Sequence, residues 1–170
     1  GYQPEPVLLR ERVGMVLSLL QGNLLTKKIH FECSLDPEML VYADRTHLSL
    51  VMQNLVSNAI KFTQEKGKIE VYASQQDDMI VICVADNGVG IASQRLSDLF
   101  QIETSFSTVG TANEKGTGLG LILCHELVRE NGGQIWAEST LSEGSRFYFT
   151  LPSSIRTLAV LDEDSRLKHN

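Results

Sequence analysis

Residues 116–120 read Gly-Thr-Gly-Leu-Gly and run directly into Leu121-Ile-Leu-Cys-His-Glu-Leu-Val128, an apolar pattern with helical spacing. Glycine costs a helix roughly 0.5–1 kcal/mol relative to alanine. Stability alone would not place Gly116, Gly118 and Gly120 there, so they predict a point where backbone closely approaches a ligand. First-turn amides and the helix dipole favour negative charge at the same point. Together these features predict an anion site, with phosphate as the expected group. Two better-known phosphate loops fail on spacing. A Rossmann turn needs G-x-G-x-x-G after a strand, and a Walker loop needs G-x-x-x-x-G-K-[ST]. Here G-x-G-x-G follows a long polar loop, and the Gly67-Lys68 pair is followed by Ile69.

The 170 residues suit about one domain with its own core. A net charge of −6 argues against general attraction to nucleic acid. An anionic ligand then needs local help from lysine, backbone amides or a metal. Cys33, Cys83 and Cys124 all lie in apolar runs, which predicts buried reduced thiols and a cytoplasmic setting. No apolar run reaches the ~18–20 residues of a membrane-spanning helix. The chain opens on Gly1, which predicts a piece of a longer protein.

Periodicity predicts an amphipathic helix after Pro6, carried by Leu9, Val13, Val16, Leu17, Leu20 and Leu24. Ile29, Phe31, Cys33 and Leu35 alternate like a strand. Asp44 reads as a cap, and a long apolar-periodic helix runs from Leu48 to Phe62. Ile69–Ala73 and Met79–Ala85 read as strands joined by the turn Gln75–Asp78, and Ser93–Phe100 as a short helix. Residues 101–115 form a long Ser-, Thr-, Gly- and Asn-rich loop, a length that marks function or mobility. Leu119–Asn131 reads as a helix stopped by Gly132-Gly133. Gln134–Glu138 and Arg146–Leu151 close the pattern as strands. The order predicts an α+β domain, a two-layer sandwich of a mixed sheet with helices on one face.

At ~100° per residue, Asn54, Asn58 and Lys61 share one stripe of the long helix, while Leu48, Val51, Met52, Leu55 and Ala59 share another. The second stripe is core. The first is either a solvated face or a site. A carboxamide oxygen is a hard ligand that suits Mg²⁺, and a lysine one turn on suits phosphate as a point charge. Ala85-Asp-Asn-Gly-Val-Gly-Ile91 ends a strand in a carboxylate beside the bare backbone of Gly88 and Gly90. It can accept a hydrogen bond from a ligand amine, or it is simply an Asn-Gly turn.

Taken in this order, the three segments resemble the catalytic ATP-binding domain of bacterial sensor histidine kinases. These belong to the wider GHKL or Bergerat-fold group with gyrase, MutL-type and heat-shock chaperone ATPases. Asn54–Thr63 is similar to the N box, Asp86–Ile91 to the first glycine box, and Gly116–Leu121 to the second. Phe100 with Phe106 loosely resembles the F box, and Gly144–Pro152 the closing strand motif. The likeness covers residues 6–152, which predicts a domain over 1–152.

The resemblance implies ATP and Mg²⁺ as ligands. By it, Asp86 accepts from the adenine amino group, Gly88, Gly90 and Ile91 form the base pocket, and Phe62 lies near adenine or ribose. Asn58 holds Mg²⁺, Asn54 assists through the metal's water shell, and Lys61 touches phosphate. Residues 101–115 form a lid. The backbone of Gly116, Thr117, Gly118, Leu119, Gly120 and Leu121 meets the phosphates. The position of Asn54 is a water-activating glutamate in gyrase-like ATPases, and a carboxamide lacks that basicity, so rapid hydrolysis is not expected. The implied activity is transfer of the γ-phosphoryl group to a histidine on a separate dimerisation domain, for relay to a response-regulator receiver domain. His30, His47, His125 and His169 lack the phosphoacceptor motif, which places that domain upstream of Gly1. The isolated domain is expected to be monomeric.

Residues 153–170 read as a tail, a linker or the truncated start of a receiver domain, since Ile155–Ser165 is an apolar run followed by acidic residues. Two other functions share this fold: a regulatory nucleotide-binding module without transfer, and a serine kinase of the anti-sigma type. Lys61-Phe62-Thr63 and the long lid suit the histidine kinases better.

Overall fold

The computed structural model describes residues 1–101, 119–154 and 166–168. Its elements run β1 Pro4–Leu8, α1 Leu9–Thr26, β2 His30–Ser34, β3 Leu40–Asp44, α2 Arg45–Phe62, β4 Lys68–Gln76, β5 Met79–Asp86, α3 Ser93–Leu96, α4 Gly120–Glu130, β6 Ile135–Thr140 and β7 Gly144–Pro152. The main sheet has the order β2-β4-β5-β7-β6. Strands β2 and β4 are parallel and the other neighbours antiparallel, so the sheet is mixed. The helices pack on one of its faces, as the sequence predicted.

Alternation explains that layering. Ile69 and Val71, Ile80, Ile82 and Val84, and Phe147, Phe149 and Leu151 are all buried. Each set points to one face of its strand. They meet Leu9, Val13 and Val16 of α1, the apolar stripe of α2, and Cys124, Leu127 and Val128 of α4 in one core. The opposite face carries Tyr72, Cys83, Tyr148 and Trp136 in one cross-strand row. There Trp136 and Tyr148 stack with ring centroids 5.4 Å apart.

Several boundaries differ from expectation. Pro4–Leu8 is a strand pairing antiparallel with β3, so α1 starts at Leu9. Prolines at positions 4 and 6 fit an edge strand, whose missing donors face no partner. Strand β3 was not anticipated, although Val41 and Ala43 alternate inward. The turn after β4 contracts to Asp77-Asp78, because Gln75 and Gln76 stay in register with Ile80 and Met79. Helix α3 is a single turn, and hydrogen-bonded turns carry the chain to Phe100. Cys83 and Cys124 are buried, but Cys33 is exposed. It lies on β2, an edge strand of the main sheet.

Candidate functional site

Helix α2 is the wall on which the site is built. Its N-terminus is fixed by Asp44, whose Oδ1 accepts from the amides of Thr46 (2.9 Å) and His47 (3.1 Å). The Asp44 amide donates to Asn131 Oδ1 at 2.8 Å, tying this end to the end of α4. Leu48, Val51, Met52, Leu55 and Ala59 are buried, together with Val56 and Ile60. That burial sets the rotation of the helix. Asn54, Asn58, Lys61 and Phe62 are left half-buried on its remaining faces. The Lys61 ammonium lies 4.9 Å from the centre of the Phe62 ring. The two side chains therefore share one surface, a cation over an aromatic face.

The Asp86 turn docks on the other end of this helix. The Val89 amide donates to the Phe62 carbonyl at 3.0 Å. A Cβ on Gly88 would stand 2.1 Å from that same carbonyl oxygen, so only glycine fits. Gly90 has φ +73°, and a Cβ there would meet the Thr140 carbonyl at 2.2 Å. The bare backbone at 88 and 90 thus serves the packing of this turn between α2 and the β6–β7 corner. The Ile91 amide donates to Ser139 Oγ at 2.7 Å, and the Ser142 amide to the Val89 carbonyl at 2.8 Å. Sequence reasoning missed Ser139, because a serine on an alternating strand carries no mark of such a role.

Asp86 is half-buried, and Oδ1 accepts from the Gly88 amide at 2.9 Å. Burial pushes its pKa up to about 6, against the smaller opposing pull of the Gly88 and Ser145 amides. A carboxylate held this way has acceptor capacity to spare and little water to use it on.

The third segment meets α2 near its middle. The first residue of α4 is Gly120, and a Cβ there would lie 2.7 Å from Asn54 Oδ1. The Asn54 amide group donates to the Leu50 carbonyl at 2.9 Å. That bond fixes the carboxamide so that its oxygen faces the start of α4. The N-cap, Leu119, has no side chain able to cap, and Leu121 is half-buried. The first turn of α4 therefore presents its amides and positive dipole end beside Asn54. Gly116, Thr117, Gly118, Phe106 and residues 102–115 of the expected lid lie outside the described residues. Phe100 stacks against His125 with centroids 6.1 Å apart, which anchors the near end of that loop on α4.

The first predicted segment thus lies on α2, the Asp86 turn meets its C-terminal end, and the described part of the third, residues 119–121, meets its middle. Such a wall offers carboxamide oxygens, an ammonium, a partly desolvated carboxylate and a helix N-terminus, a set suited to a nucleotide polyphosphate.

Residues 43–155 match the family described as "Histidine kinase-, DNA gyrase B-, and HSP90-like ATPase". The chain belongs to this ATPase family. Within it, the chain is similar to the nucleotide-free catalytic domain of the histidine kinase ThkA, with TM-score 0.77, 30% identity, and 89% of this chain and 96% of that one covered. Full-length ShkA in complex with AMPPNP superposes with TM-score 0.76 and 28% identity, covering 90% of this chain and 32% of that one. ThkA in complex with the response regulator TrrA gives 0.74 and 28%, covering 89% and 42%. Among curated proteins, phytochrome-like protein Cph1 from Synechocystis is 44% identical over 66% of this chain and 15% of its own length. The adaptive-response sensory kinase SasA from Gloeothece citriformis is 41% identical over 66% of this chain and 28% of its own. The match thus spans less than a third of either curated relative. No helix among the described residues is long and apolar enough to cross a membrane.

Proposed function

We propose that the chain binds Mg-ATP and donates the γ-phosphoryl group to a histidine on a separate dimerisation domain, as the catalytic domain of a two-component sensor kinase. The observation that carries this reading is the convergence on α2. The Asp86 turn is joined to Phe62 by a 3.0 Å hydrogen bond, and α4 begins against Asn54. In this reading Asp86, Gly88, Gly90 and Ile91 form the adenine end, with Phe62 beside it. Asn58 and Asn54 lie toward the metal and Lys61 toward phosphate, where the amides from Gly116 to Leu121 meet the same oxygens. Among the described residues no group of three or more His, Cys, Asp or Glu side chains could hold a metal. The hard carboxamide oxygen of Asn58 fits Mg²⁺ as a single protein ligand, with the remaining ligands coming from phosphate and water. The ion would neutralise charge on the phosphates.

The protein's own contribution is placement. Lys61 and the helix N-terminus balance negative charge that grows on the transferred group, and the fixed wall of α2 holds it in line. The bond from γ-phosphorus to the β–γ bridging oxygen breaks as a bond to the histidine nitrogen forms. No carboxylate takes the place of Asn54 to activate water, which favours holding ATP until the histidine arrives. We place the domain at residues 1–152, with 101–115 as its lid, and the downstream partner as a response-regulator receiver. A cytoplasmic location follows from the need for ATP.

Calorimetric titration with Mg-ATP tests binding. An added dimerisation domain from a similar kinase then tests transfer, with acid-labile phosphate as the expected product. No heat at millimolar nucleotide would leave a fold without the activity. Acid-stable phosphoserine would move the assignment to a serine kinase.

A further inference from the structure

The last four carbonyls of a helix have no partner within it. At the C-terminus of α2 each can be accounted for. The Ala59 carbonyl accepts from Thr63 Oγ1 at 2.6 Å, and that of Ile60 from the Thr63 amide at 3.4 Å. The Phe62 carbonyl takes the Val89 amide. The Ile60 carbonyl again, that of Lys61 and that of Thr63 surround a single ammonium, Lys27 Nζ, at 2.7, 3.2 and 2.9 Å. Lys27 follows α1 and is only 8% exposed. Its own carbonyl accepts from the Lys66 amide at 2.9 Å, so the loop leaving α2 is held by the same residue.

We propose that Lys27 is a positioning residue for the nucleotide site, acting through the C-terminal turn of α2. The proposal rests on the reading that Lys61, Phe62 and the Asp86 turn hold nucleotide. That turn of helix is clamped by two outside donors, the Lys27 ammonium and the Val89 amide. Lys61 and Phe62 project from the clamped turn. Because Phe62 also holds the Asp86 turn, a shift at this helix end reaches both the phosphate and the adenine side of the site. The chemistry calls for lysine. An ammonium directs three N–H donors from one point at three converging carbonyls, and its charge opposes the negative end of the helix dipole. Arginine's planar fork spreads its donors along an edge and does not converge this way.

The test measures Mg-ATP affinity of the whole chain by calorimetry, well below the melting temperature of each variant. Lys27→Met is expected to bind at least tenfold more weakly, with Lys27→Arg intermediate. Val16→Ala, a cavity in the α1 core, serves as the control for destabilisation alone and is expected to bind as wild type does. A double-mutant cycle supplies the readout that a merely structural lysine would not move. Combined with Lys61→Met, Lys27→Met should cost clearly less than it does alone, because the part of its effect that runs through Lys61 is already lost. Should Lys27→Met not fold, Lys27→Gln, which keeps two N–H donors, carries the same comparison. Wild-type affinity in the folded variant, or full additivity with Lys61→Met, overturns the proposal. Failure of the wild-type chain to bind Mg-ATP would instead overturn the function it rests on.

Discussion

Asn54 Oδ1 fills the space that a side chain on Gly120 would need, 2.7 Å from where its Cβ would be. The glycine that opens α4 is therefore matched to the carboxamide of α2, as well as to any ligand beyond it. Gly120→Ala is expected to separate stability from binding. Alanine is favoured over glycine in a helix by about 1 kcal/mol, so the melting temperature should hold or rise. The new methyl group must displace the Asn54 side chain, and Mg-ATP affinity should fall about tenfold. Calorimetry beside a thermal melt reads both. Affinity within twofold of wild type would show that the placement of Asn54 is immaterial.

Asp86 gives a pH dependence with a defined sign. Its pKa rises from 3.8 to about 6 on folding, chiefly through burial. The folded state therefore holds the proton more tightly than the unfolded chain. The stability this group contributes is greatest below pH 3.8 and is lost as pH rises to about 6. Two units at about 1.4 kcal/mol each give an upper value of about 3 kcal/mol. Asp86→Asn removes the buried charge. It should be more stable than wild type at pH 7 by about 1–2 kcal/mol, with the difference vanishing toward pH 4. Denaturant unfolding across this range is the measurement. An Asp86→Asn chain less stable than wild type at pH 7 would contradict the burial argument.

The same proton should oppose ligand binding. A carboxylate accepts an amine hydrogen with either oxygen, and a protonated carboxyl loses part of that capacity. Mg-ATP affinity is expected to decline as pH falls below about 6, with no such step in Asp86→Asn, which should bind at least tenfold more weakly at pH 7. Titrations from pH 5 to 8 check this. An identical pH profile in the two proteins would remove Asp86 from the contact.

Asn58→Ala separates the metal from the nucleotide. If the Asn58 oxygen is a Mg²⁺ ligand, wild type binds ATP more tightly with Mg²⁺ than with EDTA, and the variant loses most of that gain. Its metal-free affinity should change less than threefold. Equal losses in the two conditions would assign Asn58 to direct phosphate contact.

How far the sequence revealed the molecule depends on the range of the interaction involved. Helix α2 was legible because seven buried positions repeat at helical spacing and Asp44 caps it, all within one segment. Gly88, Gly90 and Gly120 were legible as positions needing bare backbone. What the backbone avoids at Gly88, Gly90 and Gly120 was not legible, since Phe62, Thr140 and Asn54 come from distant segments. Strand β3 hid in five residues between a turn and a cap, and its partner β1 carries two prolines that argue against a strand. Lys27 stands beside Lys28 between α1 and β2, and nothing in that local sequence marks it as buried. Three carbonyls from thirty-odd residues later decide otherwise.

The N-terminal end of α2 supplies a stability test independent of any ligand. Burial alone would raise the pKa of Asp44, but the amides of Gln3, His47 and Thr46, with the His47 ring, outweigh it and hold the carboxyl below 3.8. Its stabilising contribution is therefore present above pH 3.8 and is lost as pH falls through the lowered value. Removing an N-cap costs about 0.5–2 kcal/mol, and here the Gln3 amide also loses its partner at Oδ2. Asp44→Ala should cost about 2 kcal/mol, or roughly 4–8 °C in melting temperature for a chain of this size. Asp44→Asn, which keeps an acceptor for the first turn, should recover much of that loss. Mg-ATP affinity below the transition should stay within about twofold, because the site lies at the middle and far end of the helix. A large loss of affinity in a folded Asp44→Ala chain would mean that the rotation of α2, and with it the placing of Asn54 and Asn58, is set by its cap and not by its core.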